Sequence, residues 1–299
     1  MIDDSISAPS RRRFVQIGGG VLLAGLAGCA GQGGSDEGTG SGGGTTTESG
    51  MDDDSMSESG MDDDSMTESG MDDDSMTESG MDDTESMAQG FRVRIENVST
   101  GDTLQTMDGS VAVPLSPGAF AVHTEPGVFF TPDEPASQGL ERVAEDGTPG
   151  TLVESLGGME MSATVSAFDT PVGASSPGPL APGDVYEFEL TATPGARLSF
   201  VTMFVQSNDL FYAPGPEGIA LFADGEPVDG SVTQQVMLWD AGTEVNEEPG
   251  AGPNQAPRQS AADTGDDENA TVRPISAVGD GFSYPAVADV ISVTVTPTG

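Results

Sequence analysis

The fold of this chain is decided by residues 197–257, which read RLSFVTMFVQSNDLFYAPGPEGIALFADGEPVDGSVTQQVMLWDAGTEVNEEPGAGPNQAP. Residues 197–205 are rich in β-formers and end at 207–209 (SND), three residues that favour turns because their side chains bond their own backbone. Residues 233–239 repeat this plan and end at 240–244 (DAGTE). The pattern predicts two buried strands, each followed by an acidic loop.

The acidic side chains of these two loops form a candidate metal site. If the two strands lie side by side, Asp209, Asp240 and Glu244 converge at one end of the sheet. Clustered carboxylates repel one another unless a cation lies between them. Oxygen ligands from several loops suit Ca²⁺, which accepts six to eight oxygens in a flexible geometry. The residues therefore predict a calcium site.

Two loop motifs and one helical stretch carry a resemblance to a known family. The loop motifs are S-x-D-x-F at 207–211 and W-D-A-G-T-[DE] at 239–244, and the stretch PASQGLERVAEDGTP at 135–149 is similar to A-S-x-G-φ-x-x-φ-A-E-x-G-x-P. Together they make residues 91–297 resemble the spondin N-terminal domain family. The resemblance implies an extracellular, C2-like β-sandwich with Ca²⁺ at one end, and the family's ligand positions fall on the three acidic residues named above.

The chain departs from the usual family pattern at three motif positions. Leu210 replaces a Trp, Leu238 stands where Pro is common, and Glu244 replaces an Asp. The cysteines of animal members are absent.

The composition excludes several classes of protein. Of 299 residues, 50 are acidic and nine are basic, and the net charge is −41. Such a chain does not suit nucleic acid, which requires Lys or Arg in quantity. It suits a high-salt solvent of the haloarchaeal kind, because salt screens the self-repulsion. The single Cys excludes an intramolecular disulfide, and one Cys with one His excludes a zinc site of the usual kind.

Residues 1–29 predict an export signal that ends in a lipid anchor. Arg11 and Arg12 precede an apolar segment at 15–27, as in twin-arginine signals. This segment is too short to span a bilayer as a helix, which would need about 20 residues. Cys29 follows Leu-Ala-Gly, the arrangement of a lipobox. We predict that Cys29 carries a lipid that holds the protein at the extracellular face of the cell membrane. The alternative is an ordinary signal peptide with an incidental Cys.

Residues 30–89 predict a disordered stalk. Residues 30–47 are rich in Gly, Ser and Thr, and a ten-residue unit beginning GMDDDSM then recurs from Gly50, Gly60 and Gly70. The unit matches neither a heptad nor a strand alternation, and it lacks the Gly and Glu positions of an EF-hand. We predict an extended acidic spacer that repels itself, with loose and nonspecific cation binding as the alternative.

Residues 90–299 predict one all-β domain, an antiparallel β-sandwich with one or two short helices. Phe91, Val93 and Ile95 alternate with charged residues, as in a half-buried strand. Pro-Gly pairs separate the later apolar runs as turns. The further strand candidates are 110–113, 119–123, 160–168, 185–193, 197–205, 218–222, 232–239 and 290–296.

Other parts of this domain have individual expectations. The main helix is expected at 136–145 and ends before Gly147. Trp239 is expected in the core, because it ends an apolar strand. Phe211 and Tyr212 are expected to be exposed beside the metal site, where they would touch a ligand.

The residues point to a binding function and away from catalysis. His123 is the only His and lies at an apolar strand end, and no G-x-S-x-G elbow is present. Asp240 and Glu244 could serve as a glycosidase pair, but their loop setting favours a metal site. We predict a non-catalytic, Ca²⁺-binding surface module for adhesion, matrix organisation or ligand binding, with an extracellular protein or glycan as partner. The alternative is a secreted hydrolase or a solute-binding lipoprotein.

The anchor generates the first testable prediction. Cys29→Ser removes the sulfur that would take the lipid, so the protein is expected in the medium or as an unprocessed precursor. Fractionation of cells into membrane and medium, with gel mobility, measures this. Unchanged partitioning and mobility would contradict the anchor.

Replacement of Arg11 and Arg12 by Lys is expected to stop export, because the translocase reads the guanidinium pair.

Overall fold

A computed structural model describes residues 88–157 and 163–299 of the chain. The predicted signal and lipobox at 1–29 lie outside these residues, and so does the predicted stalk at 30–89 apart from its last two residues. The described part is an antiparallel β structure with two α-helices, which confirms the predicted fold class. Among the described residues, no helix is long and apolar enough to span a membrane.

The regular elements are numbered here in chain order. The strands are β1 (Gln89–Asn97), β2 (Leu104–Thr106), β3 (Gly109–Val111), β4 (Leu115–His123), β5 (Thr164–Phe168), β6 (Val185–Ala192), β7 (Arg197–Phe204), β8 (Leu210–Pro214), β9 (Ile219–Ala220), β10 (Phe222–Ala223), β11 (Glu226–Pro227), β12 (Gly230–Ser231), β13 (Val236–Asp240), β14 (Arg273–Pro274) and β15 (Ile291–Thr298). The helices are α1 (Gln138–Asp146) and α2 (Gly150–Gly157), with 3₁₀ turns at Thr233–Gln235, Ile275–Ala277 and Val287–Asp289.

The smaller sheet has the order β12-β15-β1-β6 and one apolar face. In β1 the side chains of Phe91, Val93 and Ile95 are fully buried, while Arg92 and Arg94 point outward. This is the alternation of period two that the sequence predicts. The two arginines pair across the strands with carboxylates of β6, and such exposed ion pairs add little stability. The buried face is therefore what fixes the register of this sheet.

The larger sheet has the order β14-β13-β8-β7-β4-β5, with β9 also paired to β7. Its central strands β7 and β8 are buried along almost their whole length, because both faces of the sheet are covered. The predicted strands 197–205 and 232–239 correspond to β7 and to β13 with the 3₁₀ turn before it. They are not neighbours, because β8 lies between them.

The position of β8 corrects one expectation. Phe211 and Tyr212 are fully buried and not exposed beside the site. They lie on opposite faces of β8, and Phe211 packs against Phe130 with ring centroids 5.3 Å apart. A short apolar run between two turns is a buried strand here, since both of its edges are paired. Trp239 is buried as predicted, and its Nε1 donates to the carbonyl of Ala213.

One core lies between the two sheets. Side chains from β1, β6 and β15 meet those from β4, β5 and β7. Against this core the partly buried Phe188 stacks on Phe120 and on Phe168, with ring centroids 4.1 and 5.3 Å apart. Burial of such rings removes a large apolar area from water and is the main source of stability in a sandwich.

A second core lies between the larger sheet and the helices. Leu140 and Val143 of α1 pack with Val201, Phe211 and Trp239 of the sheet. The helix begins after Ser137, whose Oγ accepts from the Leu140 N–H at 3.2 Å, and it ends at a residue in the left-handed conformation, as the sequence predicts. Its bounds therefore lie one or two residues downstream of the expected 136–145. This packing places the last turn of α1 beside the loops that follow β13.

The close packing of β4 against β7 is testable at Gly118. A Cβ at this position would overlap the carbonyl oxygen of Val201 and the ring of Phe168. Gly118→Ala is expected to cost about 1–3 kcal/mol of unfolding free energy, measured by denaturant titration. Gly101→Ala is the matched control, because no atom lies within 4 Å of its added Cβ. Equal stability of the two variants would contradict this packing.

Candidate metal centre

The turn between β7 and β8 holds Asp209 at the end of the larger sheet. The Ser207 hydroxyl donates to the Phe204 carbonyl at 2.6 Å and accepts from the Leu210 N–H at 3.0 Å, which closes the turn. Leu210 is paired in register with Asp240 of β13. The next amide, that of Ala241, donates to the Asp209 carbonyl at 3.2 Å. The pairing of β8 with β13 therefore brings the two predicted Asp ligands together.

The third carboxylate, that of Glu268, belongs to the long loop between β13 and β14. Asp209, Asp240 and Glu268 have carboxylate oxygens within 4.8 Å of one another, and we call these three residues the inner cluster. The Glu268 N–H donates to the Thr243 carbonyl at 2.9 Å. Gly242 makes this contact close: its φ is 70°, and a Cβ there would lie within 2.9 Å of the backbone of residues 270–271. The W-D-A-G-T motif thus requires Gly at position 242, because the backbone of residues 270–271 leaves no room for a side chain there.

The hydrogen bonds of the inner cluster leave some oxygens free. Asp209 Oδ2 accepts from the N–H groups of Thr243 and Glu244 at 3.0 and 3.2 Å. Asp240 Oδ1 accepts from the Gly242 N–H, and its Oδ2 accepts from Asn246 Nδ2, both at 2.6 Å. Asp209 Oδ1 and Glu268 Oε2 are buried without any partner. Buried carboxylate oxygens are rarely left unpartnered, because their desolvation is costly, so these two are natural metal ligands.

The charge of the inner cluster matches a divalent cation. Arg273 Nη2 lies 2.5 Å from Glu268 Oε1 and 3.5 Å from Asp240 Oδ2. When all three carboxylates are ionised, this single guanidinium leaves two negative charges unbalanced. Burial raises the pKa of Asp209 well above its usual range, and the neighbouring Asp240 raises it further. Burial also raises the pKa of Asp240, although Arg273 acts in the opposite direction.

The backbone and the side chain of Glu244, the third predicted ligand, contact different groups of acidic residues. Its backbone N–H binds Asp209, whereas its carboxylate Oε1 accepts from the Gly265 N–H at 2.8 Å. The side chain lies with Glu145 and Asp263 in a separate group, which we call the outer cluster. The structure therefore brings two of the three predicted ligand side chains together and adds Glu268. No local pattern marks Glu268, because it lies in a long loop without periodicity.

Glu268 of the inner cluster lines a cavity of about 450 Å³, which Asp209 and Asp240 do not line. Its lining includes the polar side chains of Asn246, Glu268 and Arg273, together with the apolar side chains of Val245 and Phe282. Val245 and Phe282 are among the few large apolar side chains exposed in the described residues. The cavity therefore reaches the inner cluster only at Glu268, and it also carries exposed apolar side chains.

His123 is held by neutral partners away from the carboxylate clusters. Its Nε2 lies 2.8 Å from Ser199 Oγ, and its Nδ1 lies 2.6 Å from the Glu125 carbonyl oxygen. The side chain is almost fully buried, and burial lowers its pKa. Neither ring nitrogen bonds a carboxylate, so the Ser-His pair lacks the third member of a catalytic triad. This arrangement agrees with the structural role predicted for His123.

Comparisons with known proteins leave the family open. No protein-family model and no curated protein matches this chain. The resemblance to the spondin N-terminal domain family therefore remains a hypothesis that the sequence motifs carry.

The raised pKa of Asp209 predicts how metal-free stability depends on pH. Between the ordinary Asp pKa of about 3.9 and the raised value, the folded chain holds a proton that the unfolded chain has lost. Stability therefore falls as pH rises through this interval. The side chain of Asp209→Asn cannot ionise. In the presence of a chelator, this variant is therefore expected to have a higher melting temperature than the wild type at pH 7, and the difference in melting temperature is expected to shrink towards pH 4.

Thermal melts across this pH range test the prediction. The Asn oxygen can still accept from the two backbone N–H groups that bind Asp209 Oδ2, so the turn is preserved. Asp102→Asn, at an exposed position, is the matched control. A difference between Asp209→Asn and wild type that grows on acidification would contradict the assignment.

Proposed function

We propose that this chain is a lipid-anchored protein of the extracellular cell surface whose β-sandwich binds Ca²⁺ at the inner cluster. The observation that carries the proposal is the convergence of three carboxylates, two of them fully buried, with unpartnered oxygens on Asp209 and Glu268. The module acts by binding and not by catalysis. Its partner is an extracellular protein or a glycan.

The donor set of the inner cluster favours Ca²⁺ over other metals. All its candidate ligands are carboxylate oxygens, and softer metals such as zinc prefer His or Cys ligands. Mg²⁺ demands near-ideal octahedral geometry and gives up its waters reluctantly, whereas Ca²⁺ accepts irregular sets of oxygens. Asp209, Asp240 and Glu268 would hold the ion, and the net charge they share with Arg273 would be neutralised by it.

A bound Ca²⁺ would tie together three segments that are distant in the sequence. Asp209 belongs to the β7–β8 turn, Asp240 ends β13, and Glu268 lies in the loop that leads to β14. Of these segments, the Glu268 loop lines the cavity, whose rim we define as the exposed side chains of Val245 and Phe282. We propose that this rim is the surface that meets the partner, because it combines exposed apolar groups with a site whose shape the ion would fix.

The arrangement of acidic residues supports binding over glycoside hydrolysis. The candidate pair Asp240 and Glu244 is split, since Asp240 is fully buried in the inner cluster and the carboxylate of Glu244 points into the outer cluster. A glycosidase requires its two carboxyl groups to face each other across the scissile bond.

Thermal melting with Ca²⁺ tests this proposal. At a hundredfold excess over its dissociation constant, a single bound ion adds about 2.7 kcal/mol of stability. For a domain of this size that is roughly 5–11 °C in melting temperature. Asp240→Asn is expected to remove most of this increment, and calorimetric titration of Ca²⁺ should show the loss directly.

The controls separate a specific site from the general acidity of the chain. Asp169→Asn, in the loop after β5, is expected to keep the full increment. Mg²⁺ at the same concentration and salt is expected to stabilise the wild type less than Ca²⁺ does. Asn at 240 can still accept from the Gly242 N–H, and the Asn246 amide can turn to match it, so the fold is kept. Equal Ca²⁺ responses of wild type and Asp240→Asn would overturn the proposed site.

A further inference from the structure

The outer cluster adjoins the inner cluster through the 243–244 segment, whose N–H groups bind Asp209 while the Glu244 side chain belongs to the outer cluster. Glu145 comes from the last turn of α1, Glu244 from the loop after β13, and Asp263 from the long loop before β14. Their carboxylate oxygens lie within 4.8 Å of one another. The cluster borders a separate cavity of about 290 Å³, which Glu141 and Asp267 also line. Five carboxylates therefore share one small region.

No arginine of the described residues forms an ion pair with any of these five carboxylates. The nearest ion pair joins Arg142 to Asp146 at 2.6 Å, which leaves Glu141 and Glu145 of the same helix without one. The last turn of α1 also contains no basic residue, although the partial negative charge of a helix C-terminus favours one there. In contrast to the inner cluster, which has Arg273, the outer cluster has no internal counter-charge.

Two of the carboxylates are buried with unpartnered oxygens. Glu145 and Glu244 are each only 2% exposed, and the Oε2 atom of each has no hydrogen-bond partner. The Oγ1 atom of Thr264, next to Asp263, is also buried without a partner. Burial raises the pKa of Glu145 to about 7, and the charge of Glu244 adds to the shift. Two buried, adjacent carboxylates with free oxygens are unfavourable unless a cation lies between them.

We propose that the outer cluster binds a second Ca²⁺ ion, held by Glu145, Glu244 and Asp263. This goes beyond the proposed function, which concerns only the ion at the inner cluster. The second ion would join the C-terminal end of α1 to the 263–268 loop and so fix the helix against the metal-binding end of the sandwich. The two ions would share the 243–244 segment, whose N–H groups bind Asp209 while the Glu244 side chain reaches the outer cluster.

Counting bound Ca²⁺ in the full chain tests the second site. Equilibrium dialysis with radioactive Ca²⁺, at a free concentration that saturates the wild type and at fixed salt, is expected to show one ion fewer for Glu145→Gln. The acidic repeats are the same in every variant, so their nonspecific binding cancels in the difference. Glu154→Gln, at an exposed position of α2, is the matched control and should bind as many ions as the wild type.

A second variant tests whether the loss of a bound Ca²⁺ ion comes from the missing ligand or from misfolding. Asp263 is exposed and has a φ of 57°, a conformation that Asn tolerates well. Asp263→Asn therefore keeps the loop and is expected to weaken the second ion at least tenfold. Hydrogen exchange of residues 263–268 should slow with Ca²⁺ in the wild type and much less in either variant.

The outcomes distinguish this site from the inner one. With two separate sites, Asp240→Asn and Glu145→Gln each lose one ion, and the double variant loses two. A loss at Glu145→Gln but none at Asp240→Asn would keep the second site and overturn the first. If Glu145→Gln binds as many ions as the wild type, or if the double variant loses only one, the second site is overturned.

Discussion

The antiparallel pairing of β8 with β13 is the contact on which the convergence of acidic side chains at one end of the larger sheet depends. It places Leu210 opposite Asp240, so the turn before β8 carries Asp209 to the same point. Apart from the exposed Met237, both strands are buried, and their side chains contribute to the core between the sheets on one face and to the core with the helices on the other. A register shift of one residue would exchange the faces of every side chain in β8, so the apolar packing of Phe211 and Tyr212 holds the carboxylates together.

The scarcity of cationic side chains leaves the carboxylates at this end of the fold with little internal counter-charge. Most arginines of the described residues are engaged elsewhere. Arg197 donates to the carbonyls of Glu217 and Gly218, and Arg258 donates to Gly250 and neighbouring glutamine side chains. Arg273 alone among them reaches the inner cluster. In a chain with 50 acidic residues and nine basic ones, a cation from the solvent would be the available counter-charge for clustered carboxylates.

The long connection from β13 to β14 is held chiefly by polar contacts. Its backbone bonds to Asp209, Thr243 and Glu134, and it buries the side chain of Gln255 together with that of Val272. Little apolar area is removed from water along this path, so each lost polar contact weighs more here than in the sheets. Cations at the two clusters would add bonds where the apolar core contributes least. Residues of this connection also line the two cavities beside the clusters.

The sequence by itself determined the elements whose signals are local. The alternation of β1, the end of α1 at Gly147 and the placing of Asp209 and Asp240 at strand ends all follow from burial and turn preferences within a few residues. Only the tertiary structure decided that β8 separates the two predicted strands and that Glu268 and Glu145 join the acidic residues of the β13 loop. These partners lie far apart along the chain, and a carboxylate in an aperiodic loop carries no local mark of its neighbours. These acidic residues come together because the packing of the sheets and the helix brings their loops to one end of the domain.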